Sequence, residues 1–337
     1  MPLYPGMTKR DLRWLICAAL AGCAAAPDAA GEPDLIEKVD CGEALICGNS
    51  AMLGAHLWWE LDSSELAYSP VGRVKIVDFK LANNVTLKPR VQGYRLSGED
   101  ASHTFYGGLA LVGSHLWIDS DTGEHFLLKL ESVGAAAYWE GGFDDTVIPT
   151  YVWSYVQLDP MMNQTTLPAP VCSGALIDLY YKDAILFTGD RYDGPTAKVK
   201  ATGNTQPWFN FACRDDVLWK EVLFRYVTHA QAPPAVMHDV TARNVAIAAI
   251  HADYCGVNHP YTTLGTLVDW ANRSGSLWID PGYPNVEAIW GGNGRAICLT
   301  HPRKVAKSEV ACKLDDCTDD DIAHWIDRGY EMITYVP

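Results

Sequence analysis

The chain has 337 residues, of which 48% are hydrophobic and 20% charged, and its formal net charge is −15. This length allows one large domain or two ordinary ones. A nucleic-acid partner is excluded, because an acidic surface repels the phosphate backbone that Lys and Arg would have to neutralise. No apolar run after residue 22 is long enough to span a membrane as a helix.

The first 22 residues have the layout of an export signal. Lys9, Arg10 and Arg13 precede an apolar run from Trp14 to Gly22. Such a run is too short to cross a bilayer, and a basic start followed by a short apolar stretch is typical of a signal peptide.

The end of this run, Leu20-Ala21-Gly22-Cys23, resembles the lipobox of bacterial lipoproteins. The resemblance implies that residues 1–22 are removed and that Cys23 carries a lipid, which would be the link to a membrane partner. Ala24 at the next position implies the outer membrane in a host with two membranes. We therefore expect a lipid-anchored protein of the bacterial cell envelope, facing the periplasm or the exterior. An ordinary signal peptide with a coincidental Cys is the alternative.

Residues 23–34 (CAAAPDAAGEPD) contain Ala, Pro, Gly and acidic residues without an apolar period. This composition predicts a flexible tether, with ordered structure beginning near Leu35.

Residues 35–170 are predicted to form a β-rich region. Short β-branched and aromatic runs, such as VGRVKIVDF and YVWSYVQL, are separated by Gly, Asp and Asn, as expected for Gly-punctuated β-hairpins. Residues 161–170 (MMNQTTLPAP) are predicted to be a surface loop.

Helical patterns appear only in the second half, which predicts an α+β, β-rich fold with two or three helices. The predicted helices are Asp215–Val227, His238–His251 and Thr318–Arg328. Strands are predicted within 262–270 and 274–280. We assign 171–310 to a disulfide-stapled region of helices and strands, and 311–337 to a C-terminal Cys loop and helix.

Eight cysteines remain after Cys17 and Cys23 are set aside, and in an exported chain an even number predicts disulfides. Zinc is the rival, but no CxxC pair is present. Short separations favour Cys41–Cys47 and Cys312–Cys317. The eight are Cys41, Cys47, Cys172, Cys213, Cys255, Cys298, Cys312 and Cys317.

The segment His251-Ala-Asp-Tyr-Cys255-Gly, followed by Gly265-Thr266, resembles the bacterial ADYC-domain family, which is named for this tetrapeptide. The resemblance extends over roughly residues 91–305 and implies a secreted or lipid-anchored protein, but no reaction. Further matches are Phe211-Ala-Cys213, Val171-Cys172 and the run from Glu287 through Trp290, Gly294 and Cys298 to Arg303.

The resemblance also implies pairing of Cys172 with Cys213 and of Cys255 with Cys298. Where the family has two further cysteines, this chain has Glu221 and Ala246, which implies the loss of one bridge between two helices. His251 stands where the family usually has Arg, which puts any role of that Arg in doubt.

Three residues of this segment could carry chemistry: His251, Asp253 and Cys255. A Cys thiol assisted by His and Asp is the pattern of a nucleophilic hydrolase. An oxidised Cys cannot act as a nucleophile, however, and disulfide formation is the expected state in an exported chain. A metal site formed with His259 is a further alternative, although no spacing fixes its geometry. The structural interpretation is that Asp253 caps the helix end or accepts backbone N–H bonds in the turn at Gly256, while Tyr254 packs.

Two other patterns suggest binding. Tryptophans of the β-rich region are either core residues, which we favour, or an exposed platform for sugars or peptides. The acidic run from Asp315 to Asp321 lacks the spacing of a known calcium loop, so we interpret it as solvated and helix-capping.

The sequence therefore predicts a non-enzymatic binding or structural module of the cell envelope. No cofactor or metal is expected, and the protein or glycan ligand is not identified. The alternative is a hydrolase that uses His251, Asp253 and Cys255.

Overall fold

The fold is given by a computed structural model. It describes residues 50–138, 147–172, 182–188, 191–193, 196, 198–200, 207–226, 240–262, 266–275, 277, 282–292 and 294–337. All of these lie in the compact unit Asp40–Pro337. The predicted signal peptide and tether, together with Cys23, Cys41 and Cys47, lie outside the described residues. Within the described part, no helix is long and apolar enough to cross a membrane.

The described chain is β-rich, as predicted, and contains three α-helices. The strands in chain order are β1 Ala51–Leu53, β2 His56–Trp58, β3 Glu60–Asp62, β4 Val74–Lys80, β5 Lys88–Gln92, β6 Arg95–Glu99, β7 Phe105–Gly107, β8 His115–Ser120, β9 His125–Ala137, β10 Val147–Leu158, β11 Ala169–Pro170, β12 Asp183–Thr188, β13 Arg191–Asp193, β14 Lys198–Lys200, β15 Trp208–Cys213, β16 Asp269–Asn272, β17 Asn285–Gly291, β18 Arg295–Leu299 and β19 Met332–Val336. The helices are α1 Val217–Leu223, α2 Val240–His251 and α3 Asp319–His324.

The largest sheet is antiparallel and has the strand order β3-β15-β12-β10-β9-β8-β4, with β11 beside β10. Alternation of side chains explains the burial of strand β8, near the β4 end of the sheet. In β8, Leu116 and Ile118 are buried while Trp117 on the opposite face is half-buried. The central strand β12 is buried at every position, because other elements cover both of its faces.

A second sheet of four strands has the order β16-β19-β17-β18. Strand β19 lies between β16 and β17, and it was missed by the sequence analysis, which expected only a Cys loop and a helix after residue 310. Its five residues give a weak local signal, and its place depends on partners far away in the chain. Of the strand predicted within 262–270, residues 266–268 lie before β16, which starts at Asp269, and residues 263–265 lie outside the described residues. The strand predicted within 274–280 falls mostly on residues outside the described part.

Each of the three predicted helices exists. Helices α1 and α3 are shorter than their patterns, whereas for α2 the first two residues of the pattern, 238–239, lie outside the described residues. Helix α1 is capped by Asp216, whose carboxylate accepts the Trp219 N–H at 2.7 Å. Helix α2 is buried nearly all round, as its apolar sequence predicted. Helix α3 begins after Thr318, which forms the predicted capping box with Asp321.

Two large hydrophobic clusters hold these layers together. The first includes helices α1 and α2 and joins β12 to the four-stranded sheet through residues such as Phe187 and Trp290. The second packs the other face of the large sheet against strands β5 and β6. The end of helix α2, where the tetrapeptide lies, is therefore surrounded by the first cluster.

Candidate functional site

The tetrapeptide Ala252-Asp-Tyr-Cys255 is the turn that ends helix α2. Ala252 has φ +55°, in the left-handed region. Its N–H donates to Ala249 O at 3.1 Å, and the Asp253 N–H donates to Ala248 O at 2.8 Å. This pair of bonds is a Schellman motif, in which Gly is the usual residue at the left-handed position. The chain leaves the helix at a fixed angle, which sets the directions of the next three side chains.

Asp253 organises the backbone of this turn. Its carboxylate accepts the N–H of Val257 at 3.2 Å and that of Asn258 at 2.7 Å. Burial raises the pKa of Asp253, and these N–H bonds partly oppose the rise. The carboxylate is thus occupied by the loop that follows it, as the structural interpretation of the sequence expected.

Tyr254 is fully buried and connects the turn to the β17–β18 hairpin. Its hydroxyl donates to Glu287 Oε1 at 2.6 Å and accepts the backbone N–H of Arg303 at 2.7 Å. The ring stacks on Trp290 and Tyr261 at centroid distances of 5.5 and 5.4 Å. Burial raises the pKa of Tyr254, so the hydroxyl stays protonated and remains a donor.

Cys255 forms a disulfide with Cys312. A sulfur in a disulfide is not a thiolate, so it cannot begin the nucleophilic attack that the hydrolase alternative requires. The next residue, Gly256, has φ +68°, and a Cβ at this position would lie 2.8 Å from Gly294 O. Close contact between the turn and the β17–β18 hairpin therefore requires Gly at this position.

His251 is the last residue of helix α2, and its ring is 2% exposed. Burial, with Lys220 and Arg303 nearby, lowers its pKa to about 3. Among the described contacts no hydrogen bond joins this ring to Asp253 or Cys255, and Nε2 has no partner. The three candidate residues lie within five positions of the sequence, but their side chains have different surroundings: His251 is buried, Asp253 binds the following loop and Cys255 is bonded to Cys312.

Arg303 caps the end of helix α2 from the other side. Its guanidinium donates to Ile250 O at 3.0 Å and to Ala249 O at 2.7 Å, and its Nε lies 2.6 Å from Glu287 Oε1. A cation is favoured here because the last carbonyls of a helix carry partial negative charge. The family resemblance includes Arg303 and Glu287 but implies no role for them, because their pairing depends on contacts between distant parts of the chain.

A second buried polar cluster joins helices α1 and α2. Arg243 Nε donates to Glu221 Oε1 at 2.9 Å, and its Nη2 donates to Tyr192 Oη at 2.7 Å. The Tyr192 hydroxyl donates to Glu221 Oε2 at 2.5 Å. Glu221 is one of the two positions where the resemblance implied a lost bridge, and here its carboxylate connects the same two helices through an ion pair.

The disulfides confirm one expected pairing and correct two others. Cys172 pairs with Cys213, as the resemblance implied. Cys255 pairs with Cys312 and Cys298 with Cys317, so the expected pairs Cys255–Cys298 and Cys312–Cys317 are wrong. The reason is that segment 312–317 runs beside β18, where the Leu299 N–H donates to Asp315 O at 2.9 Å. Cys312, at the start of this segment, therefore reaches Cys255 in the turn, and Cys317, at its end, reaches Cys298 in β18.

The described residues contain no group of three or more His, Cys, Asp or Glu side chains that could hold a metal ion. His259 of the metal alternative packs edge-on against Tyr261. In the acidic run, Asp316 pairs with Lys307 at 2.5 Å. Asp320 and Asp321 pair with Arg328. Lys307 and Arg328 thus pair with three of the five aspartates of the run, and Asp321 takes part in capping helix α3.

No open aromatic platform is present among the described tryptophans. Trp117 and Trp208 are half-buried and lie under cations, Lys80 at 4.9 Å and Arg191 at 3.9 Å from the ring centroids. Trp139 and Trp278 lie outside the described residues. The buried tryptophans are Trp58, Trp59, Trp153, Trp219, Trp270, Trp290 and Trp325.

Two cavities lie among the described residues. One is an enclosed void of about 10 Å³ in the β core, lined by residues such as Leu61 and Phe79, which is too small for a ligand. The other is a shallow groove of about 440 Å³ along residues 307–314. The hydrogen bonds and the disulfide of the tetrapeptide make it a junction between helix α2, the β17–β18 hairpin and the C-terminal segment.

Comparison with known proteins gives one match. A family model described as the ADYC domain matches residues 108–305. Neither a curated protein nor a solved structure matches the chain.

Proposed function

Since this chain belongs to the ADYC domain family, and since its motif residues are held in structural bonds, we propose that it is a lipid-anchored envelope protein with a non-enzymatic role in binding or structure. The observation that carries this proposal is the use of the motif itself. Asp253 accepts hydrogen bonds from the following loop, and Tyr254 donates one to the β17–β18 hairpin. Cys255 forms a disulfide with the C-terminal segment. No group of the tetrapeptide is left to act on a substrate.

Compartment and anchoring rest on two separate observations. Three disulfides favour an oxidising environment outside the cytoplasm. The sequence Leu20-Ala21-Gly22-Cys23 supplies the site of lipid attachment. Buried lipid chains of a lipoprotein would hold the domain at a membrane surface, because each buried methylene contributes about 0.8 kcal/mol.

Metabolic labelling with a radioactive fatty acid in a bacterial host tests the anchor. We expect the wild-type chain to be labelled and to sediment with membranes, and Cys23→Ala to be unlabelled. The matched control is Cys17→Ala, which removes a neighbouring Cys within the same apolar run and should leave labelling unchanged. An unlabelled wild-type chain would contradict the lipid anchor.

Peptide mapping of the non-reduced protein tests the absence of thiol chemistry. We expect a peptide pair joined through Cys255 and Cys312, and no alkylation of Cys255 before reduction. Recovery of alkylated Cys255 from the native protein would revive the hydrolase alternative and would justify an activity screen with Cys255→Ala.

A further inference from the structure

Strand β9 extends beyond its neighbour β8 and leaves part of one edge uncovered. Pairing on that side ends at Leu130, which exchanges backbone hydrogen bonds with Gly113 and Ser114 at 2.8 and 3.0 Å. From there β9 continues to Ala137 and pairs only with β10 on its other side. Among the described residues, nothing is hydrogen-bonded to the β8 side of Ser132–Ala137.

The register shows which backbone groups face outward. Ala135 lies opposite Pro149, which has no N–H and therefore cannot complete a hydrogen-bonded pair. Ala135 is thus in a non-hydrogen-bonded pair with β10, and its own N–H and C=O point to the uncovered side. Alternation places the N–H and C=O of Val133 and Ala137 on the same side.

Residues 132–137 lack the charges and prolines that usually protect an edge strand, and the register shift of β9 lies just before them, at Glu131. At one end of the large sheet, β3 has only three residues. At the other end, β4 carries Lys75 and Lys80 and a register shift after Ile76. Residues 132–137 (SVGAAA), by contrast, contain no charge and no Pro, and Ser132, Gly134, Ala135 and Ala137 are exposed.

We propose that this edge, residues 132–137 of β9, pairs antiparallel with the same edge of a second copy of the chain. A two-fold axis at Ala135 places Ala135 opposite its equivalent and Val133 opposite Ala137 of the other copy. Every outward N–H then meets an outward C=O, so the two β9 strands join the large sheets into one.

Charge and side-chain size favour a second copy as the occupant. No like charges lie opposite each other within the stretch, and its small side chains let a second strand approach closely. The formal net charge of −15 opposes association at long range. Salt screens that repulsion, so the dimer is expected to strengthen as ionic strength rises.

This pairing extends the structural role proposed above and rests on that role, but it does not require lipid attachment. A monomeric chain that is fatty-acylated would overturn the pairing alone, whereas a dimeric chain without lipid would overturn the anchor alone.

Sedimentation velocity of the full chain over a series of protein and salt concentrations tests the proposal. We expect a concentration-dependent dimer that Ala135→Pro and Ala135→Lys each weaken by about tenfold or more, since Pro removes an outward N–H and Lys places like charges opposite each other. Val147→Lys is the matched control, because Val147 is an exposed residue of the same hairpin on β10, and it should leave the dimer unchanged.

Near-ultraviolet circular dichroism of each variant verifies that it is folded. A wild-type chain that stays monomeric at every concentration, or a dimer that survives both Ala135 variants, would overturn the proposal. A monomer that binds a foreign extended peptide at this edge would equally overturn the choice of a second copy.

Discussion

At the scale of single residues, the tetrapeptide illustrates how chemically capable side chains become structural. Asp253 and Tyr254 are each buried by the segments that they hold, and burial raises the pKa of both. His251 is buried in its neutral form beside two cations. A buried ionisable group influences stability wherever its folded and unfolded pKa values differ, and this makes the region testable without an activity assay.

We predict that His251 makes the protein sensitive to acid. Its pKa is 6.5 in the unfolded reference and about 3 in the fold, so between these values the unfolded chain binds a proton that the folded chain does not. The free energy of unfolding should therefore fall as pH falls through this window, by up to about 1.4 kcal/mol per pH unit. Urea titrations of the wild type and His251→Leu at several pH values measure this slope, and equal slopes in the two proteins would contradict the prediction.

Gly256 and Gly275 form a matched pair for substitution by Ala. Their φ angles are +68° and +70°, but only Gly256 has a close neighbour, Gly294 O at 2.8 Å from the added Cβ, whereas Gly275 has nothing within 4 Å. Gly275→Ala should cost about 1 kcal/mol from backbone strain, and Gly256→Ala clearly more. Denaturant midpoints provide the measurement. Equal losses would mean that the turn and the hairpin are not in close contact.

At the scale of elements, helix α1 is joined to helix α2 by the Glu221–Arg243 ion pair, in which neither side chain is exposed. Arg243→Met should cost about 3–5 kcal/mol, because it leaves a carboxylate buried without its cation, and adding Glu221→Gln should recover part of that loss. Lys129→Ala, in a pair with Glu131 at the surface, is the control and should cost less than about 1 kcal/mol. Thermal unfolding of the wild type, the two single variants Arg243→Met and Glu221→Gln, the double variant and the control measures the losses, and additive losses of the two single variants would exclude a coupled pair.

Sequence patterns were reliable for elements whose neighbours are local. Runs of β-branched and aromatic residues predicted β4 and β10. Acidic residues at the predicted N-termini marked the starts of helices α1 and α3. Patterns failed where a long-range partner decides the outcome. Strand β19 forms because it pairs with β16 and β17. Cys312 bonds to Cys255 because the chain around it runs beside β18.

The site was predictable to a similar extent. The sequence singled out the residues from His251 to Cys255 and favoured a structural role for them. It could not identify Arg303 and Glu287 as their partners, because these belong to a hairpin whose approach depends on the whole core.

At the scale of the whole molecule, disulfides connect the turn and the four-stranded sheet to the C-terminal segment. Cys255 and Cys312 are 57 residues apart, and Cys298 and Cys317 are 19 apart. Removal of the disulfide that closes the longer loop should lower the free energy of unfolding by about 4 kcal/mol, and removal of the other by about 3 kcal/mol. The difference arises because closing a longer loop restricts the unfolded chain more. Denaturation of Cys255→Ala/Cys312→Ala and Cys298→Ala/Cys317→Ala tests this order, and a reversed order would indicate that native contacts dominate.

These two bonds also interleave along the chain, in the order Cys255, Cys298, Cys312, Cys317. In the export proposed above, Cys255 would meet an oxidant before Cys298, and Cys298 before Cys312, so that joining Cys255 to Cys298 would give a non-native bond. Native pairing would then need Cys255 to stay reduced until Cys312 emerges, or an early bond to be exchanged by an attacking thiolate. The yield of folded protein would then depend on the disulfide isomerase capacity of the compartment in which it matures.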